Sequence, residues 1–177
     1  MTTRKALAQS LTCVVMMILG AVIATAAPIA RPGARDTGPV SSLAGVKRVR
    51  LMVQPVPPAI AKAGFTVEAL LEQWSKKLKD AGFEMAKPSD DTPIIELFIS
   101  TAADKDVPDA IAVGVKLTVM QTAHIERLEA DLMLPTYTHI PVGIVPNNKV
   151  KEQTQEALDF VMEMFIRSVR LADGDLS

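Results

Sequence analysis

The residues best suited to chemistry lie between positions 124 and 139. His124 and Glu126 form an H-x-E arrangement, and Tyr137 and His139 follow after a segment with strand-like alternation. A histidine and a carboxylate within reach of one substrate can perform general acid–base catalysis, and two histidines with a carboxylate can begin a zinc site. A hairpin could bring the two pairs together. We therefore take these four residues as the candidate small-molecule site.

The number of available ligands argues against a metal. A zinc site ordinarily has three or four protein ligands, and the chain contains two histidines and one cysteine, Cys13. The aspartates of the segment 104–109 lack the central glycine and the distal glutamate of an EF-hand loop. We expect no metal and no cofactor.

Motifs that bind nucleotides or build a hydrolase nucleophile are absent from the sequence. None of G-x-G-x-x-G, G-x-x-x-x-G-K-[ST], G-x-S-x-G and H-E-x-x-H occurs. No catalytic residue is therefore assigned, and a non-enzymatic binding module is the favoured interpretation. Two alternatives stay open: a cofactor-free, hydrolase-like enzyme built from the dispersed His, Glu and Tyr groups, and a self-associating structural scaffold.

Residues 1–26 have the organisation of a secretory signal peptide. Arg4 and Lys5 precede an uncharged apolar stretch, and Ala24-Thr25-Ala26 offers a cleavage site with small residues. We expect cleavage after Ala26 and a periplasmic or secreted protein without cysteine, since Cys13 leaves with the signal. The alternative is an uncleaved apolar helix that anchors the chain, the one case in which we expect membrane contact.

Composition divides the rest of the chain into three parts. Residues 27–42 are rich in Pro, Gly and Ser and are expected to form a flexible tether. Residues 43–172 are long enough for a single domain with one core, and residues 173–177 are expected to be a disordered tail. Loss of the signal peptide takes the net charge from −1 to −3, with both signs intermixed. Nucleic acid is therefore not an expected partner.

Hydrophobic periodicity predicts the elements that must position the candidate residues. Alternation with a period of two predicts strands at 49–53, 111–124 and 128–134, and two further extended segments are expected at 83–86, which is short, and at 94–100, which is β-branched and apolar. Apolar residues at helical spacing predict one helix from a Thr66 cap to Gly82, and a second from Asn147 or Asn148 to Ala172. Residues 135–146 read as apolar but irregular, with a short strand at 142–145.

This order, β-α-β-β-β-β-α, fits a two-layer α+β sandwich. A mainly antiparallel sheet of 4–5 strands with one apolar face would be covered by two amphipathic helices on the same side. The hairpin after residue 124 would then carry His124 and Glu126, and the segment that follows it would carry Tyr137 and His139.

Several short structural motifs lie between residues 43 and 172. They are Leu43-Ala44-Gly45-Val46 before the first strand, Leu78-Lys79-Asp80-Ala81-Gly82-Phe83 at the end of the first helix, Met120-Gln121, and Phe165 in the last helix. Together they resemble a class of uncharacterised, signal-peptide-bearing bacterial envelope proteins. The helix ending is also similar to small periplasmic modules like the N-terminal domain of TolB. The resemblance implies an envelope location and no activity; the partner we expect is another envelope protein or component.

Overall fold

The computed structural model describes residues 38–87 and 92–174. The expected signal peptide, residues 27–37 of the expected tether and residues 175–177 of the tail lie outside these ranges. Where the description begins, a turn leads into a 3-10 helix at Ser41–Leu43. The Ser42 hydroxyl donates a hydrogen bond to the carbonyl of Thr136 (3.2 Å), and Leu43 is fully buried. Residues 41–43 are therefore attached to the folded core.

The described residues form six strands and three α-helices. In chain order these are β1 (Arg48–Val53), α1 (Pro58–Lys62), α2 (Val67–Asp80), β2 (Glu84–Met85), β3 (Ile94–Ala103), β4 (Ala110–Ile125), β5 (Ala130–His139), β6 (Val142–Pro146) and α3 (Val150–Asp173). The short α1 was not expected, because five residues are too few to show a helical period. It begins with Pro58 at its first position, where a missing N–H costs no intrahelical bond.

The strands form one mixed sheet in the order β2-β1-β3-β4-β5, and β6 also pairs with β4. β1 pairs parallel with β2 and with β3, whereas β4 pairs antiparallel with β3, β5 and β6. The two-layer α+β sandwich is confirmed. The helical connection between β1 and β2 returns the chain to the end of the sheet where β1 began, which makes the β1–β2 pair parallel.

Both long helices contribute to a single apolar core. Thr66 caps α2 by accepting a hydrogen bond from the Ala69 N–H (3.1 Å), and the helix buries Leu70, Trp74 and Leu78. From α3, Phe165 is fully buried and stacks on Phe83 with ring centroids 5.5 Å apart. An ion pair between Lys77 and Asp159 joins the two helices at the edge of this core. No helix within the described ranges is long and apolar enough to cross a membrane.

β4 is longer than β5 and longer than β6, the two strands that pair with the same side of it. β6 pairs with its first part, β5 pairs with its second part, and the register is the same on both sides of the break at residues 140–141. Residues 137–146 therefore act as one edge strand in two parts. The register shifts between Val119 and Met120, where β5 inserts Thr136 as an extra residue after Pro135. Such a bulge tolerates a proline inside a strand, which explains why β5 continues to His139 through a segment expected to be irregular.

Candidate functional site

The structure does not bring the four candidate residues together. His139 lies opposite Leu117 on β4, and Tyr137 lies opposite Val119. His124 is seven residues further along β4 than Leu117, which corresponds to about 23 Å at the rise of an extended strand. Direct hydrogen bonding between the two histidines, or through one water, is ruled out by this separation in the described structure.

His124 and Glu126 lie at the exposed end of the β4–β5 hairpin. His124 Nδ1 is 2.8 Å from Asp131 Oδ1, and both side chains are more than half exposed. Glu126 begins a 3-10 turn that closes with Glu129 in the left-handed region, at φ 47°. Exposed ion pairs of this kind contribute little to stability, because water screens them. The His124–Asp131 pair therefore lies in solvent at the end of the hairpin.

Tyr137 is part of the core. Its side chain is buried, its hydroxyl lies 3.2 Å from Ser168 Oγ, and its ring meets the ring of Phe165 edge-on at 6.3 Å. A buried hydroxyl needs a hydrogen-bond partner, and Ser168 supplies it. The geometry gives Tyr137 a structural role.

His139 is half-buried at the side of the sheet that faces α3. Its ring centroid lies 5.5 Å from that of Phe160, and its Nε2 is buried without a hydrogen-bond partner among the described residues. An unpaired buried nitrogen costs free energy, so such a group is a natural place to look for a missing partner. The ring of His139 contacts Phe160, which lines a cavity between β6 and α3, although His139 itself is not among the residues that line it.

That cavity, which we call the edge cavity, lies between β6 and α3 and has a volume of about 310 Å³. Its apolar lining includes Gly143, Val145, Ala157 and Phe160; Gln153 lies at its rim, and Glu156 is the one charged residue among the described residues that line it. A Cβ atom at Gly143 would meet no atom within 4 Å. The cavity is therefore open beside Gly143, which has no side chain to occupy this space.

A second cavity, of about 350 Å³, lies at the opposite end of α3. Lys47 and Arg170 line it, together with Asp173, which accepts a hydrogen bond from the Gly45 N–H (2.7 Å). Both α2 and α3 end here, and the carboxyl ends of helices carry partial negative charge. The two cations offset that charge, so this cavity offers little to an anionic ligand.

The backbone beside the edge cavity is exposed on its outer side. The Val115 N–H donates to the Pro141 carbonyl (3.1 Å), and the Asn147 N–H donates to the Asp109 carbonyl (2.9 Å). Along an antiparallel strand, the backbone N–H and C=O groups of successive residues point alternately towards and away from the neighbouring strand. The groups of the intervening even-numbered residues therefore point away from β4. We call these residues the outer edge: Thr138, Ile140, Val142 and Ile144.

The outer edge combines exposed apolar side chains with backbone groups available for pairing. Ile140, Val142 and Ile144 are 52%, 71% and 77% exposed, and Thr138 is exposed as well. No charged residue stands between positions 138 and 146, apart from the titratable His139. No strand in the described ranges pairs with this side of β5 or β6.

Sequence reasoning missed the outer edge, although a signal was present. The alternating Ile140, Val142 and Ile144 are typical of a half-buried strand, and only the order of strands shows that their backbone lies at an edge.

Comparisons with known proteins show a structural likeness at low sequence identity. No protein-family model matches the chain, and no curated protein matches it. Among solved structures, the chain is similar to a minor lipoprotein from Acinetobacter baumannii, with 10% sequence identity and a TM-score of 0.40 over 70% of this chain and 90% of that one. The candidate function therefore rests on this chain's own geometry.

Proposed function

We propose that this protein is an exported, non-enzymatic interaction module of the bacterial cell envelope, which binds another envelope component by accepting an extended segment on its outer edge. The observation that carries the proposal is the outer edge itself, which is apolar and uncharged and pairs with no strand of the described ranges. Sheet edges are usually protected by charged side chains, bulges or covering elements, because an unprotected edge pairs with other chains. Strand addition to such an edge is a common mode of peptide recognition.

The energetics of the outer edge favour a bound strand. Burial of apolar surface contributes about 25 cal/mol per Å², and a strand added here would cover part of three aliphatic side chains that are more than half exposed. The backbone groups of four successive even-numbered residues would gain partners at the same time. Pro141 does not interfere, because its position faces β4, whereas Pro146 has no outward N–H and marks the end of the pairing surface.

Export and the dispersal of the titratable residues also support this role. The signal-peptide pattern of residues 1–26 predicts export from the cytoplasm into the compartment in which envelope partners are found. The alternative of a hydrolase-like enzyme needs an acid and a base near one substrate, and His124 and His139 stand about 23 Å apart at the rise of an extended strand. No group of His, Cys, Asp and Glu within the described ranges could hold a metal ion.

The test uses the full-length chain in the bacterium that produces it, with a photoreactive amino acid in place of single residues. Cross-links to a second protein are expected from positions 142 and 144. A matched control is Leu128, which is also apolar and 54% exposed but lies at the end of the hairpin. Introduction of Ile144→Lys is expected to abolish the cross-links from position 142, because a lysine on an edge strand opposes pairing with another chain.

Two outcomes would contradict the proposal. Equal cross-linking from positions 128 and 144 would mean that contact is not specific to the outer edge. Substrate turnover by the purified protein that is lost in His139→Ala would favour the enzymatic alternative.

A further inference from the structure

We infer that the segment bound at the outer edge carries a large apolar residue and, two positions away, a lysine or arginine, with both side chains directed into the cleft between β6 and α3. This inference rests on the proposed function, since it specifies the chemistry of the partner at the same edge.

The apolar residue is argued from the edge cavity. A strand added beside β6 has every second side chain on the face towards α3. Gly143 leaves that side of β6 open, and the space beyond it is bounded by Val145, Ala157 and Phe160. Phe160 is 47% exposed, so a neighbouring apolar side chain would remove further apolar surface from water.

The cation is argued from Glu156. This exposed carboxylate is the one charged group in the described lining of the cavity, and it stands four residues before Phe160 on α3. Four helical residues span about 6 Å, and two residues of an extended strand span about 6.6 Å. If such a strand runs along α3, an apolar side chain beside Phe160 puts the next side chain on that face level with Glu156, where a positive charge is favourable.

A second copy of the chain fits this cleft poorly. Self-pairing of the outer edge would bring residues 138–146 of the copy against the cleft, and this stretch contains no lysine or arginine. Glu156 would then have no cationic partner. The chain's own Ile29-Ala30-Arg31 has the required pattern, so the test must distinguish this segment from a separate partner.

The experiment pans a displayed library of random ten-residue peptides against the protein purified as its host exports it. Enriched peptides are expected to carry a large apolar residue and a lysine or arginine two positions apart. Gly143→Leu, which fills the cavity, is expected to weaken the selected peptides about tenfold or more, the loss that corresponds to one buried aliphatic side chain.

Glu156 is tested by charge reversal. Panning against Glu156→Lys is expected to replace the basic residue of the enriched peptides by aspartate or glutamate, while the apolar residue stays. Glu163→Lys is the matched control, because it makes the same change on the same helix outside the edge cavity, and it is expected to leave the preference unchanged. Both glutamates are exposed, so both variants keep the fold.

The remaining outcomes overturn either this inference or the proposed function. One outcome would refute the inference alone. In it, the enriched peptides lose binding in Ile144→Lys, but they lack the apolar and basic residues two positions apart and do not respond to Gly143→Leu or Glu156→Lys. Binding that ignores Ile144→Lys would refute the proposed function as well. If the double substitution Ile29→Asp and Arg31→Glu increases the enrichment of peptides, the cleft is assigned to the chain's own segment. If light scattering shows a dimer that is lost in Ile144→Lys, the cleft is assigned to a second copy.

Discussion

Tyr137 shows how burial decides what a chemically capable residue does. In the sequence it stands among threonines and a histidine, a polar setting that favours a binding site. In the structure its hydroxyl lies within the core, beside Ser168 Oγ, and its ring packs on Phe165. The partner comes from α3, 31 residues further along the chain, so no local pattern could reveal it.

Tyr137→Phe is expected to lower the free energy of unfolding by about 1 kcal/mol, because Ser168 Oγ loses its partner inside the core. Urea unfolding followed by circular dichroism measures the change. In a Ser168→Ala background the same substitution is expected to cost less, since the Tyr137 hydroxyl has already lost its partner there. Equal costs in both backgrounds would show that the hydrogen bond does not contribute.

The candidate site shows the limit of sequence spacing at this scale. The interval between His124 and His139 is compatible with a hairpin that brings them close, and the hairpin was correctly expected. The turn follows Ile125, as expected, so His124 stands at the tip of the hairpin. The segment after residue 134 was expected to be irregular, but it continues β5 past Pro135 and places His139 at the far end of the returning strand. The bulge that allows this depends on pairing with β4, so the local sequence does not reveal it.

At the scale of elements, α3 presents two phenylalanines in different environments. Phe165 is fully buried between the rings of Phe83 and Tyr137, whereas Phe160 is 47% exposed over the edge cavity. Helical periodicity places Leu158, Val161, Phe165 and Val169 on the inner face, and all four are buried. The apolar stripe predicted the core side of α3 because period and packing agree there.

Phe165→Ala is expected to lower the free energy of unfolding by about 3–5 kcal/mol, because it leaves a cavity in the core. Phe160→Ala provides the matched control on the same helix and is expected to cost less than about 1 kcal/mol, as it removes a side chain already in contact with water. Denaturant titration of both variants tests the assignment. Similar losses for the two would mean that Phe160 is also part of the core.

The edge position of β5 and β6 could not be predicted in the same way. Alternation identifies a strand and its apolar face, but the identity of its neighbours depends on contacts far apart in sequence. The parallel pairing of β1 with β3 is an example, because Leu51 and Ile95 pair although they are 44 positions apart in the chain. Local patterns therefore predict the two layers of the fold, and leave the order of strands, and with it the outer edge, undetermined.

At the scale of the whole molecule, the export signal and the fold make separate predictions. If cleavage follows Ala26, the protein recovered from the envelope begins at Ala27 and contains no cysteine, because Cys13 is the only one in the chain. Intact mass spectrometry is expected to show the loss of residues 1–26, and thiol titration of the unfolded protein is expected to give no reaction. A mass that includes Arg4 and Lys5 would support the anchored alternative.

The pairing of β4 has a further consequence for the way the molecule opens. Residues 111–120 pair with β3 on one side and lie beside β5 or β6 on the other, whereas residues 121–125 pair with β5 alone. Amide hydrogens exchange with solvent only when their hydrogen bonds open, and doubly flanked, buried strands open last. Exchange followed by mass spectrometry is expected to be slowest at Val113–Val119 and fast at residues 121–134. The tip of the hairpin would then open in local fluctuations, while the middle of β4 exchanges only when the entire domain unfolds.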